Sequence, residues 1–139
     1  MRGADKREDQ ELFELINRVR ANPMMMLDHL EQMKLKFDGE LYKRGGDRPN
    51  LRTKEGVKAV DEAINAINRI DSCPALRWDD TLANAAKEHV NDTGSRGLLQ
   101  HESSDNKTVK ERFAKFGKFL SCYGENLSFS CETAEEIVA

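Results

Sequence analysis

The sequence Trp78-Asp-Asp-Thr-Leu-Ala-Asn-Ala-Ala-Lys-Glu-His-Val90 begins the stretch, ending at Asn126, from which the fold is best predicted. Its apolar spacing predicts a helix that starts at Asp79 or Asp80. Five residues share one face of this helix: Leu82, Ala85, Ala86, His89 and Val90. We therefore interpret His89 as a buried, hydrogen-bonded core histidine, with a ligand role as the alternative. His101 and Glu125 follow in two loops, each placed by a preceding helix, and loops on a rigid scaffold are where function concentrates.

Four other helices are predicted from apolar residues at helical spacing, over residues 9–20, 23–36, from Thr53 onward, and 108–116. Residues 38–49 are rich in glycine and are interpreted as an exposed loop. Strands are expected only near residues 98–101 and 118–130. His29, alone on the second helix, is interpreted as structural or solvated. Trp78 is expected to anchor its segment to the core.

Thr133-Ala-Glu-Glu136 forms a capping-box sequence, which marks the start of a helix. The sequence ends three residues later, at Ala139. Because a helix that short is unstable by itself, we expect a continuation of the chain, or a protein partner, to pack beyond Ala139.

The composition is that of a globular domain with a polar surface: 139 residues, 38% hydrophobic and 34% charged. This length suits one domain, predicted over residues 9–139 after a disordered or extended segment 1–8. The net charge is −3 with both signs interspersed, so no nucleic acid is predicted as a partner. No apolar run approaches the roughly 18 residues of a membrane span. The N-terminus lacks the apolar region of a signal peptide, which favours a cytoplasmic or cytoskeletal location unless the chain is trimmed.

The three cysteines, Cys73, Cys122 and Cys131, are an odd number without metal-type spacing. Three reduced thiols are the preferred interpretation. A disulfide between Cys122 and Cys131, which flank the Gly-Glu-Asn turn, is the alternative.

Several motifs in a fixed order give the chain a family resemblance. They are Leu15-Ile16-Asn17-Arg18-Val19-Arg20 with Asn22-Pro23, Leu76-Arg77-Trp78-Asp79, His89-Val90-Asn91-Asp92, His101-Glu102-Ser103, Glu111-Arg112, and Gly124-Glu125-Asn126-Leu127. With these motifs the chain resembles the CAP superfamily, which includes cysteine-rich secretory proteins, and within it the SCP-like extracellular proteins. The resemblance spans nearly the whole chain and about the first two-thirds of the family domain.

The resemblance implies an α+β fold, an incomplete three-layer α-β-α sandwich that is mostly helical in this portion. It also implies a cleft in which His101 and Glu125 match the first histidine and the first glutamate of a set that binds a divalent metal in some members. Ser103 and Asn126, next to this pair in the two motifs, are candidate binding residues.

The residues themselves allow three interpretations of the pair formed by His101 and Glu125. The two side chains can hydrogen-bond to each other and hold two loops together, which is the preferred interpretation. They can form part of a zinc site in a completed domain, although zinc normally takes three or four protein ligands. They can act as an acid–base pair in a hydrolase; Ser103 is close in sequence, but no Gly-x-Ser-x-Gly nucleophile motif accompanies it.

We therefore predict a non-enzymatic binding or interaction module that works within a larger assembly or a longer chain. No cofactor is expected to be required, with a divalent cation such as zinc as the exception in a completed domain. The resemblance also implies a lipid or sterol as the alternative ligand, and the apolar faces of the second and third helices could line a groove for it.

Overall fold

The computed structural model describes residues 6–117, 121–129 and 131–139. It contains six α-helices, one 3₁₀ turn and three short strands in the described part. They are α1 (Lys6–Ala21), the 3₁₀ turn (Pro23–Met26), α2 (Leu27–Lys34), β1 (Phe37–Asp38), β2 (Leu41–Tyr42), β3 (Leu51–Arg52), α3 (Val57–Ile67), α4 (Asp80–Gly94), α5 (Val109–Lys115) and α6 (Ala134–Val138). The predicted α+β class is confirmed.

The chain divides into two compact units. The first contains residues 7–76 and 133–139, and the second contains residues 77–132. No helix in the described ranges is both long and apolar enough to cross a membrane.

The core of the first unit lies where α2 packs against α3. Met26, Leu30 and Val60 are its buried centre, at 4%, 2% and 5% exposure. Val138 of α6 packs against the same cluster, and Thr133 Oγ1 accepts the Glu136 N–H that begins α6. The methionines of the 3₁₀ turn differ in burial. Met26 fills part of this core, as methionine often does, whereas Met24 is exposed.

The prediction that strands lie only near 98–101 and 118–130 was wrong. The strands form an antiparallel sheet in the order β1-β2-β3, within and beside the segment predicted as an exposed loop. Among the described residues 98–101 and 121–129 there is no strand, while residues 118–120 and 130 lie outside the described part. Gly39 and Glu40 form the two-residue loop between β1 and β2; a glycine at the first position of such a loop is a hairpin signal, and Gly39 adopts the positive φ of +60° that the turn requires.

The start of α3 also differs from the prediction. The helix does not run from Thr53 onward but begins at Val57, with Gly56 as its N-cap residue. The Thr53 hydroxyl accepts the backbone N–H of Gly56 in the turn before the helix. Gly56 has a φ of +62°, and a β-carbon there would lie 2.7 Å from the carbonyl oxygen of Gly39. This close approach places the turn before α3 against the β1–β2 hairpin.

The segment that follows α3 is held against α1 by side-chain hydrogen bonds to its backbone. The Asn17 amide accepts the N–H of Leu76 at 2.7 Å and donates to the Leu76 carbonyl at 3.2 Å. Arg20 Nε donates to the carbonyl of Pro74 at 3.0 Å. These bonds give Asn17 and Arg20 a structural role. They fix a segment that has no regular secondary structure of its own.

In the second unit α4 begins as predicted, with the Asp79 carboxylate accepting the N–H groups of Thr81 and Leu82. The buried face of α4 differs in part, because Thr93 is buried while Val90 is 57% exposed. Trp78 is 40% exposed and donates its indole N–H to Asp80. The expectation that Trp78 anchors its segment to the core was therefore wrong, because the indole N–H is satisfied locally at the start of the helix.

Helix α5 carries a complete capping box in which Thr108 and Glu111 bond each other's backbone N–H groups. It ends at Lys115 with Phe116 as the C-cap residue, and Gly117, which follows, has the φ of +77° that suits this position. Its buried face contains Phe113 at 8% and Arg112 at 3% exposure.

Candidate functional site

The loop that carries His101 is fixed by side chains from α4. His89 is 3% exposed and its Nε2 lies 3.1 Å from the carbonyl oxygen of Gln100. Because a carbonyl only accepts, Nε2 must carry the proton. Asp92 accepts the Ser104 backbone N–H at 2.7 Å and the Ser104 hydroxyl at 2.6 Å. The interpretation of His89 as a buried, hydrogen-bonded histidine is confirmed, and its hydrogen bond holds the residue immediately before His101.

The bonds to Ser104 change the acid–base behaviour of Asp92. The backbone N–H and then the hydroxyl of Ser104 lower the pKa of Asp92 below its ordinary value of 3.8, and the nearby charge of Arg96 adds to the effect. Asp92 therefore remains ionised to a lower pH than an isolated aspartate, and so it continues to hold the loop.

His101 and Glu125 meet, as the resemblance implied. His101 Nδ1 lies 3.0 Å from Glu125 Oε1. The two environments differ, because the His101 side chain is 53% exposed and the Glu125 side chain only 12%. The hydrogen bond therefore joins an accessible imidazole to a largely buried carboxylate.

The second oxygen of Glu125 is bound by Arg112, a residue to which the sequence had assigned no role. Arg112 Nη2 forms an ion pair with Glu125 Oε2. Its Nη1 donates to the carbonyl oxygen of His101 at 3.1 Å and to Ser103 Oγ at 3.4 Å. Its Nε is buried without a hydrogen-bond partner among the described residues. One planar guanidinium thus joins the backbone of His101 to the carboxylate of Glu125.

A sequence signal for this arginine did exist. Arg112 lies three residues after Val109 and one before Phe113, on the face of α5 that the apolar spacing turns inward. A charged residue on such a face is rarely buried unless it has a partner, so an arginine at this position indicates an acidic partner nearby. That acid is Glu125.

The other candidate residues are placed differently. Ser103 joins the cluster of His101, Arg112 and Glu125 through its hydrogen bond to Arg112. Its backbone N–H donates to the carbonyl oxygen of Lys107. Asn126 is exposed, and the binding role of both residues stays a prediction. His29 lies half-buried on α2 in the first unit. Cys73, Cys122 and Cys131 are free thiols.

The described residues do not fit a zinc site by themselves. No group of three or more histidine, cysteine, aspartate or glutamate side chains is arranged to hold a metal in the described ranges. His101 and Glu125 would supply two ligands where zinc usually takes three or four. Both Glu125 oxygens are already engaged, one of them by a cation that would repel a second one.

The first unit contains an apolar groove of about 380 Å³. Met33, Phe37, Ala59 and Val60 supply its apolar lining, with Thr53 and Lys54 among its polar residues. The groove lies between residues of α2 and α3, the two helices whose apolar faces were expected to line a ligand groove.

Comparison with known proteins places the chain in one family. The family model of the cysteine-rich secretory protein family, CAP, matches residues 13–139. No curated protein and no solved structure matches the chain. The match includes all the residues that carry the cluster of His101, Arg112 and Glu125.

Proposed function

The chain belongs to the CAP family of cysteine-rich secretory proteins, and on that premise we propose that it is a non-enzymatic module that binds a protein partner. The observation that carries the proposal is that both oxygens of the Glu125 carboxylate are already bonded within the chain, one to His101 and one to Arg112. The cluster therefore serves as a rigid support for a binding surface.

The same contacts argue against a hydrolase. A general acid or base must exchange a proton with substrate and must reach it, but Glu125 is only 12% exposed and holds an arginine. Ser103 Oγ accepts a hydrogen bond from the buried guanidinium, and a nucleophilic serine would instead need a base to remove its proton. The contacts of Glu125 and Ser103 thus favour structural over catalytic use of these two side chains.

Exposed apolar side chains on the second unit support the binding role. Leu99, two residues before His101, is 70% exposed, and Tyr123, two residues before Glu125, is 46% exposed. Contiguous apolar patches mark surfaces that bind other molecules, whereas single exposed apolar residues are common, and the proposal takes these two side chains as parts of one such patch. Because their loops are tied to the cluster, these side chains are presented without the entropy cost of ordering a free loop.

The test is affinity capture from extracts of the source cells with three forms of the protein. Leu99→Ser removes the apolar side chain next to the cluster, and Leu35→Ser is the matched control, since Leu35 is 76% exposed in the first unit. We expect a protein to be retained by the wild type and by Leu35→Ser and to be lost with Leu99→Ser. Equal retention by all three forms, or retention of no protein, would contradict the proposal.

A second candidate function, binding of a lipid or sterol, is favoured by the groove of the first unit. Its volume of about 380 Å³ lies within the range of about 300–1,000 Å³ typical of small-molecule sites. Its apolar lining would bury a hydrocarbon, and Lys54 and Glu55, which both line the groove, would offer a donor and an acceptor to a polar head group.

Substitution inside and outside the groove tests this candidate. Ala59→Phe would fill the groove, whereas Ala66→Phe adds the same side chain at an exposed position of α3 that does not line it. We expect binding of radiolabelled cholesterol or palmitate to be lost with Ala59→Phe and kept with Ala66→Phe. Absence of binding by the wild type would rule out this ligand class for the groove.

A further inference from the structure

We propose that Arg112 is a positioning residue that fixes His101 in a single tautomer, with the proton on Nδ1 and the lone pair on Nε2. The ligand class that this arrangement selects is a group that donates a hydrogen bond, such as a hydroxyl or an amide N–H. The inference rests on the proposed binding function for its biological meaning, but the tautomer can be tested without any ligand.

The tautomer follows from the chemistry of the partner. Glu125 Oε1 lies 3.0 Å from His101 Nδ1, and a carboxylate accepts hydrogen bonds without donating them. In the neutral ring Nδ1 must therefore carry the proton, and Nε2 is left as an acceptor. With 53% of the His101 side chain exposed, a ligand can reach the ring.

The role of Arg112 follows from geometry. Its Nη1 binds the backbone carbonyl of His101 and its Nη2 binds the carboxylate of Glu125. The backbone of His101 and the carboxylate of Glu125 are therefore attached to one guanidinium plane. Arg112 is 3% exposed, so its guanidinium has little room to move.

A lysine cannot replace this arrangement. Its ammonium keeps the charge but is a compact group on a flexible stem, whereas the arginine fork offers two donors in fixed directions. In Arg112→Lys we expect Glu125 to lose its fixed position relative to the His101 backbone. The imidazole would then exchange between its two tautomers.

His89 provides an internal standard with the opposite tautomer. Its Nε2 faces the carbonyl oxygen of Gln100 at 3.1 Å, so Nε2 is protonated in the neutral ring. Since the chain has three histidines, their signals can be assigned with His29→Gln and His101→Gln variants.

The experiment is long-range ¹H–¹⁵N NMR of the whole chain at a pH at which the histidines are neutral. We expect the wild type to show His101 protonated at Nδ1 and His89 at Nε2. Arg112→Lys should give averaged nitrogen shifts for His101 and unchanged shifts for His89. Thr108→Ala, which removes the cap of α5, is the control for destabilisation of that helix and should leave the His101 tautomer unchanged.

Two results would overturn the inference. The first is a wild-type spectrum in which His101 carries its proton on Nε2, which remains decisive even if Arg112→Lys does not fold. The second is an Arg112→Lys spectrum in which the His101 shifts equal those of the wild type. Loss of partner capture by itself would count against the proposed function alone, because the tautomer is measured without a partner.

Discussion

Removal of the Arg112 guanidinium should destabilise the second unit by much more than removal of an exposed charge. Arg112→Met keeps most of the side-chain volume but leaves the Glu125 carboxylate, at 12% exposure, without its cation. Breaking a buried ion pair from one side costs about 3–5 kcal/mol. Because Glu125 retains some contact with water, we expect about 3 kcal/mol, and a similar loss for Glu125→Leu, which leaves a buried guanidinium unpaired.

The double variant separates the pair from its surroundings. When both charges are removed together no unpaired ion remains, so the double variant should lose less than either single variant. The resulting coupling energy should be at least about 3 kcal/mol, at the upper end for directly interacting side chains.

Urea unfolding followed by tryptophan fluorescence is a suitable assay, because Trp78 is the only tryptophan and lies in the same unit. With a slope of about 2 kcal/mol per molar urea, each single variant should lower the midpoint by about 1.5 M. Lys115→Met is the control, since the Lys115–Glu88 pair is 58% and 43% exposed and such pairs contribute about 0–1 kcal/mol. The reasoning would be refuted if the double variant lost the sum of the two single losses in unfolding free energy. It would also be refuted if Arg112→Met lost no more stability than Lys115→Met.

Three further perturbations have defined outcomes. Hydrogen bonds from Ser104 lower the pKa of Asp92 below 3.8, so its contribution to stability is present above that value and is lost as the pH falls through the lower folded pKa. Asp92→Asn should remove this part of the loss of stability in acid, measured by urea titrations between pH 2 and 6. The same dependence of stability on pH in the variant as in the wild type would contradict this. Gly56→Ala places a β-carbon 2.7 Å from the Gly39 carbonyl oxygen at a φ of +62° and should cost about 1–3 kcal/mol; an unchanged melting temperature in calorimetry would contradict the geometry. Thr108→Ala removes the N-cap hydroxyl of α5 and should cost about 1 kcal/mol; urea unfolding with no loss would show that the cap is not needed.

The helices of the second unit were largely predictable because their signals are local. An N-cap aspartate and apolar residues at helical spacing placed the start of α4 and both ends of α5 within a residue or two of their observed positions. The burial of His89 followed from the same spacing. The exposure of Val90 could not be predicted in this way. The helical period shows which residues share a face, but not how much of that face is covered by neighbouring elements.

The strands were harder to predict because each has only two residues. A two-residue strand shows no alternation, so the turn was the only available signal, and the glycines around residue 40 were attributed to a loop instead. Sheet formation here depends on pairing across the chain, with Phe37 opposite Tyr42 and Leu51 opposite the same tyrosine, and such partners are not visible in a local window.

The meeting of His101 with Glu125 was predicted from the family resemblance and not from spacing. Twenty-four residues separate them in the sequence, and no periodic signal relates positions in two irregular loops. The role of Arg112 could have been derived, because a charged residue on an apolar helix face requires a buried partner. The identity of that partner required the structure.

The central claim is that both oxygens of Glu125 are committed within the chain, and a zinc titration by calorimetry tests it most directly. We predict that the 139-residue chain shows weak zinc binding or none, because a metal would have to displace Arg112 from Glu125 and would still find no more than two ligands among the described residues. A submicromolar zinc site that disappears in both His101→Ala and Glu125→Ala would contradict the account.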